Sequence, residues 1–339
     1  MAATESNTTI LTRMRNYRPD PLIVLILLAV VIAIFLPARG EFADGFGVAT
    51  TVAIAFLFFL YGARLSPEEA KQGFKHWRLH LIILVFTFLV FPVVGLAMKG
   101  LEPIVGPEMY LGLLYMTLVP STVQSSVAFT SIARGNVAGA IVSASASNLL
   151  GVVLTPVLVM LLMSSSSGLV ISGQVFLDVA IQLLLPFVVG QLSRKWTAKF
   201  ASNSLTKQFD RISIAMVVYA AFSEGVVDGI WVSVPIWQLL FVCVLSVVLV
   251  AFMLWLTRYS AMKLGFNRGD QIAIEFCGTK KSLATGLPMA AVIFAGQSLG
   301  LIILPLMLFH QIQLMMCSWL AARYAKQYAL AHPEEQPAA

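Results

Sequence analysis

The sequence predicts an all-α, polytopic membrane protein. Three observations predict it: the composition, ten long apolar runs and a one-sided distribution of basic residues. Of 339 residues, 59% are hydrophobic and 11% charged, against roughly 25% charged in soluble domains. These figures exclude a soluble enzyme, a disordered chain and a nucleic-acid module as first readings. The net charge of +6 comes from basic residues set between apolar runs, so it speaks for a membrane surface rather than for nucleic acid. Cys243, Cys277 and Cys317 all lie inside apolar runs and form neither a disulfide framework nor a metal-finger spacing.

A spanning helix needs about 20 mostly apolar residues. Ten stretches qualify: 21–37, 46–65, 79–99, 110–130, 137–162, 174–193, 210–230, 234–257, 271–295 and 299–322. The first follows a polar segment and has no small-residue cleavage site after it, so it reads as a span rather than a removable leader. The loops are too short for a soluble domain, and residues 1–20 and 323–339 read as polar tails. Ten spans put both termini on one side. Eighteen Lys and Arg fall on that side, among them Arg64, Lys71, Lys75, Arg134, Arg194, Arg211, Arg258 and Arg323, and only Arg39 and Lys99 on the other. Both termini are therefore expected in the cytoplasm. Lys280 and Lys281 belong to no loop.

Shifting the first five spans by 157 residues lays each one on its counterpart among the second five. At that offset Ser121-Thr122-Val123-Gln124-Ser125 meets Gly278-Thr279-Lys280-Lys281-Ser282. The chain is read as two five-helix repeats, 21–162 and 174–322. Five is odd, so the second repeat is inverted. Inverted repeats with midplane sites at broken helices are a secondary-transporter architecture. Evenly spaced helices also align at some offset without any common origin.

Polar residues inside the spans mark the candidate site. In span 4, Pro120 removes a backbone donor, and Ser121, Thr122, Gln124, Ser125 and Ser126 follow it. They read either as a cavity-lining interruption or as a kinked helix with small residues for close packing. Span 9 carries Glu275, Gly278, Thr279, Lys280, Lys281, Ser282, Gly286 and Pro288. Pro120, Gly278 and Pro288 are the expected helix breaks. At 1.5 Å per residue Lys280 lies about 14 Å into this span, near the middle of a core about 30 Å thick. A charge there must be paired or wet. The bland alternative starts the span at about residue 282 and lets both Lys reach the surface. Span 5 holds Ser143 with Ser147 on one face and Ser145 with Asn148 on another. Such residues serve as packing glue or as hard ligands for a cation. His310, with Gln311 and Gln313, is a secondary candidate, as a packed residue or a proton relay. Ser164–Ser167 reads as an external turn, and Trp77, Trp196 and Trp231 as interfacial anchors.

With these residues in view, the chain resembles the sodium/bile acid cotransporter (bile acid:sodium symporter) family. The likeness is to its outlying branch, which holds the seventh vertebrate member of that solute-carrier group and bacterial putative symporters. It covers roughly 15–325 and rests on the span pattern, on Pro120 through Arg134-Gly135-Asn136-Val137 and on Glu275 through Gly286-Leu287-Pro288. The resemblance implies a core of spans 3–5 and 8–10 and a panel of spans 1, 2, 6 and 7, with broken spans 4 and 9 crossing near the midplane. It implies sodium behind the crossing and an organic anion in the cleft. The match is incomplete. The family's Ser-Asn pair falls near Ser125-Ser126, and its span-5 Ser and Thr fall on Ala140 and Ala144. Its span-9 Glu sits one residue early, at Glu275, and Gln-Asn has become Lys280-Lys281. Coupling to sodium, to protons or to no ion is left open.

The expectation is a secondary active organic-anion symporter working by alternating access, with the lipid bilayer as its other partner. The alternatives are a proton-coupled or uncoupled transporter, or a regulatory protein derived from one. Sodium is the one candidate bound ion, no cofactor is expected, and substrate identity and oligomeric state stay open. An enzyme is a poor reading: there is no His-Glu-x-x-His and no Gly-x-Ser-x-Gly, and the four His are widely separated. Short loops and the lack of a targeting segment point to a bacterial inner membrane.

Overall fold

The computed structural model describes residues 21–64, 76–167 and 177–331, which contain helices and no strand. The N-terminal tail, Lys71, Lys75 and the chain beyond Ala331 lie outside the described residues. The elements are α1 (Pro21–Phe35), α2 (Gly40–Arg64) and α3 (Trp77–Val105, with a π-helical turn over Phe86–Val90). They continue with α4 (Pro107–Leu118), α5 (Val123–Ile132) and α6 (Val137–Ser167). Next come α7 (Leu177–Leu192), α8 (Arg194–Ala201), α9 (Ser204–Val227) and α10 (Ile236–Lys263). The last are α11 (Arg268–Thr279), α12 (Leu283–Ile293) and α13 (Leu299–Ala331).

By length and composition five of these helices can each cross a membrane, and α7 with α8, bent by 105°, makes a sixth. Their outer faces carry bare Val48, Leu161, Val244 and Val248, apolar side chains that suit lipid rather than water. The helices pack in two groups. Helices α1, α2, α7 and α9 hold one another, while α3 to α6 and α10 to α13 form the second group, which meets α9 through α12 and α13.

Three local expectations are corrected. Ser164–Ser167 prolongs α6 instead of turning outside it. Helix α13 continues through the stretch read as a tail, to Ala331. Trp231 is no interfacial anchor: it stacks on Phe222 at 4.5 Å and donates to the Phe222 carbonyl at 3.3 Å. Trp77 and Trp196 are exposed.

Two features explain the packing around the site. The Arg134-Gly135-Asn136 turn is fastened to the start of α11. Asn136 accepts from Gly139 N at 2.8 Å, donates its side chain to Asp270 at 2.6 Å and donates its backbone to the Gly269 carbonyl at 2.9 Å. Asn267 caps α11 by accepting from Asp270 N at 2.9 Å, and Asp270 suits the positive end of the helix. Helices α2 and α7 cross at paired glycines. A Cβ on Gly62 would lie 2.0 Å from the Phe187 carbonyl oxygen, and one on Gly190 would lie 2.0 Å from that of Phe59. Backbone cannot yield as a flexible side chain can, so Gly62→Ala or Gly190→Ala is expected to destabilise by about 1–3 kcal/mol. Thermal unfolding of each variant in detergent checks this; a melting temperature equal to the parent's would contradict it.

Candidate functional site

The two interrupted spans meet. Helix α4 ends at Leu118, the chain runs extended through Val119 and Thr122, and α5 starts at Val123. Helix α11 ends at Thr279, Lys280 and Ser282 are extended, and α12 starts at Leu283. The breaks are joined by Ser282 N donating to the Pro120 carbonyl at 2.7 Å. The second break lies over 280–282. Gly278 is helical within α11 and Pro288 helical within α12, so neither interrupts the span. The breaks correspond at offsets of 160 to 161 residues (Val119 with Lys280 161 apart, Thr122 with Ser282 160 apart), three or four more than the letter match of Ser121–Ser125 with Gly278–Ser282.

A helix that stops inside a membrane leaves carbonyls that lipid cannot satisfy. Here several have donors from other elements. The Lys281 ammonium donates to the Thr117 and Val119 carbonyls at 2.8 and 2.9 Å and to the Thr87 carbonyl of α3 at 2.8 Å. Thr155 donates to Leu118 O at 2.9 Å, and Asn148 to Ser121 O at 2.5 Å. Asn148 also accepts from Thr285 at 2.7 Å, so it ties α6 to both breaks. Ser147 accepts from Ser121 N at 3.0 Å, and Ser121 donates to the Cys277 carbonyl at 2.6 Å. Gln313 accepts from Lys281 N at 2.9 Å and donates to Lys281 O at 2.8 Å; His310 lies 2.8 Å from the same amide. His310 is thus a hydrogen-bonded part of the crossing rather than an isolated group.

Lys280 and Lys281 are both fully buried, so neither reaches the surface. They point apart. Lys281 turns to the carbonyls and lies 4.3 Å from the Phe91 ring centre. The Lys280 amine lies 3.7 Å from the Phe129 ring centre and has no hydrogen-bond partner among the described residues.

The other predicted residues separate. Glu275, one turn before the end of α11, receives the Tyr324 hydroxyl at 3.0 and 3.1 Å and pairs with Arg258 at 4.0 Å. Ser143 bonds His80 at 2.7 Å, Ser126 reaches the Phe276 carbonyl at 3.5 Å, and Thr279 bonds Thr257 at 3.2 Å. Thr122, Gln124, Asn148 and Ser282 line a cavity of about 380 Å³ between the two helix groups, and Ser125 bonds Thr122 at 3.4 Å. Of the two half-helix N-termini at the breaks, α12 is capped by Ser282, which accepts from Thr285 N at 3.2 Å. Helix α5 has no side-chain cap and opens on the cavity at Thr122, Val123 and Gln124.

A model of one protein family matches residues 20–326. The chain belongs to the SBF-like CPA transporter family. It is similar to the putative symporter YfeH of Escherichia coli K12, 48% identical over 314 residues, 91% of this chain and 93% of that one. It is 47% identical to protein PA2026 of Pseudomonas aeruginosa over 315 residues, 92% of this chain and 95% of the other. It is 32% identical to sodium/bile acid cotransporter 7 of Mus musculus over 278 residues, 79% of this chain and 80% of that one. This member of the SBF-like CPA transporter family is an integral multi-pass membrane protein and a transporter rather than an enzyme.

Sodium needs several converging oxygens. In this SBF-like transporter the oxygens of Ser143, Ser147 and Glu275 are engaged with His80, Ser121 and Tyr324, and three carbonyls at the crossing already hold an ammonium. The donor set does not fit a sodium ion at these positions. Four participants went unassigned in the sequence reading. Thr87 and Thr155 look like ordinary span residues. Tyr61 and Asp210 lie near span ends, and only the folded chain brings them to the cavity.

Proposed function

We propose that the protein is a secondary active transporter moving an organic anion by alternating access, without sodium at the helix crossing. The reading takes the chain as two inverted five-helix repeats in a bacterial inner membrane, with both termini cytoplasmic. The observation that carries it is the meeting of two broken helices beside a cavity lined by both packed groups of helices. The relatives' printed names, symporter and sodium/bile acid cotransporter, support the class of cargo. Both groups line the cavity, and α9 joins them beside it by packing on α12 and α13. The open N-terminus of α5 offers amides and partial positive charge to an anion; the capped α12 does not.

Lys281 supplies the cation of the crossing. Carbonyls at a half-helix C-terminus favour a positive charge, and this one is covalently attached. It holds α4, α3 and the second break together whatever the surrounding salt.

The test is uptake of radiolabelled taurocholate, a bile acid, into proteoliposomes in sodium and in potassium. Equal uptake is expected. Uptake that rises saturably with sodium would overturn the tethered-cation reading. No uptake in either salt, with no effect of the anion on labelling of a cysteine placed at Val152 in the cavity wall, would overturn the cavity assignment.

A further inference from the structure

Counted along the chain, Arg211 is one more basic residue at a span end. In the fold it lines the cavity, half-buried, beside Arg64 and Asp210. Arg64 is fully engaged. It makes a two-pronged ion pair with Asp210, Nη2 to Oδ1 at 3.2 Å, and its Nε donates to the Ala201 carbonyl at 2.6 Å. That pair is electrically neutral and tied to α8. Arg211, the next residue, makes no hydrogen bond and no ion pair among the described residues. The charged residues lining the cavity, among those described, therefore sum to one positive charge, and Arg211 supplies it.

A guanidinium does not lose its proton, and its planar fork matches a carboxylate or sulfonate. Leu149, Val152, Phe187 and Ile214 give the same cavity an apolar wall. We infer that Arg211 sets the charge selectivity of the cavity, which takes amphipathic molecules bearing one negative charge. The head pairs with Arg211 and the body lies on the apolar wall. A dianion leaves its second charge facing an Arg64 already held by Asp210. A neutral molecule leaves Arg211 unpaired. The inference rests on the cavity being the substrate site, as proposed above.

Three probes of one shape and different charge test it: 2-naphthalenesulfonamide, 2-naphthalenesulfonate and 2,6-naphthalenedisulfonate. Their affinities for the full chain in nanodiscs are read from naphthalene fluorescence, with empty nanodiscs subtracted. In the parent the monoanion is expected to bind at least tenfold more tightly than either of the others. Arg211→Gln should weaken the monoanion at least tenfold and leave the sulfonamide unweakened, while Arg211→Lys keeps part of the preference. Asp210→Asn frees Arg64 and raises the lining charge by one, so it should favour the disulfonate. Monoanion binding that Arg211→Gln leaves unchanged, or a parent that does not rank the three by charge, would overturn the inference alone. A parent that binds none of them would overturn the cavity assignment as well.

Discussion

Lys281→Met should cost the protein much of its stability. The substitution keeps the apolar stem but strips the donor from three carbonyls, those of Thr87, Thr117 and Val119. A buried acceptor left without a partner costs about 1–3 kcal/mol, so the loss is at least about 3 kcal/mol. Folded proteins have only about 5–15 kcal/mol to lose. The purified variant is expected to melt at least roughly 5 °C below the parent, at about 2–4 °C per kcal/mol, or to fail to accumulate. Lys281→Ala removes the stem too and leaves room beside the oxygens. It is the variant in which a sodium-dependent rise in melting temperature should first appear, since a ligand of the folded state alone stabilises it. A Lys281→Met variant as stable as the parent would show that the ammonium does not hold the crossing.

Lys280→Met should do the opposite. Its amine is fully buried with no hydrogen-bond partner among the described residues, and the Phe129 ring is its nearest aromatic face. A desolvated cation–π contact contributes about 2 kcal/mol or somewhat more. Taking a charge out of water costs several kcal/mol per ion. The apolar isostere is therefore expected to raise the melting temperature by a few degrees. Uptake in proteoliposomes should fall at least tenfold in the same variant, since a charge that the fold is better without is kept for what it does. A less stable Lys280→Met would show that the ring and its surroundings compensate the charge, and undiminished uptake would show that the charge has no part in transport.

The contrast between these two neighbours marks where sequence reading stops. Composition and the Lys/Arg asymmetry gave the helical membrane class, because lipid tolerates few alternatives to helices. Pro120 and the run from Glu275 to Pro288 announced interrupted spans, since proline and intramembrane charge are costly in a regular helix. The exact break did not follow. Gly278 was the expected weak point, yet a glycine can remain helical when Thr257 and Phe86 pack on it, and the chain opens two residues later. Nor did the sequence separate the roles of Lys280 and Lys281. Adjacent residues diverge according to the backbone between them, and that backbone is extended here. Glu275 was grouped with the Lys pair by nearness in sequence; the hydroxyl that holds it, Tyr324, comes from a helix extension read as a tail. Arg64, Asp210 and Arg211 were legible as charges but not as cavity wall, because that wall exists only where α2 and α9 come together.

That extension has a practical side. At 33 residues, α13 is about 50 Å long, well beyond the 30 Å or so of a hydrocarbon core. Its final turns hold Tyr324 on Glu275, and Tyr328 under Arg268 at 4.9 Å from ring centre to guanidinium. Helix α11 is thereby gripped from the last stretch of the chain. A fluorescent or affinity tag joined after residue 323 would pry that grip open and report on a loosened protein. Joined after Ala331, it would leave the grip intact and make the same helix a handle for recording movement of the crossing from outside the bilayer.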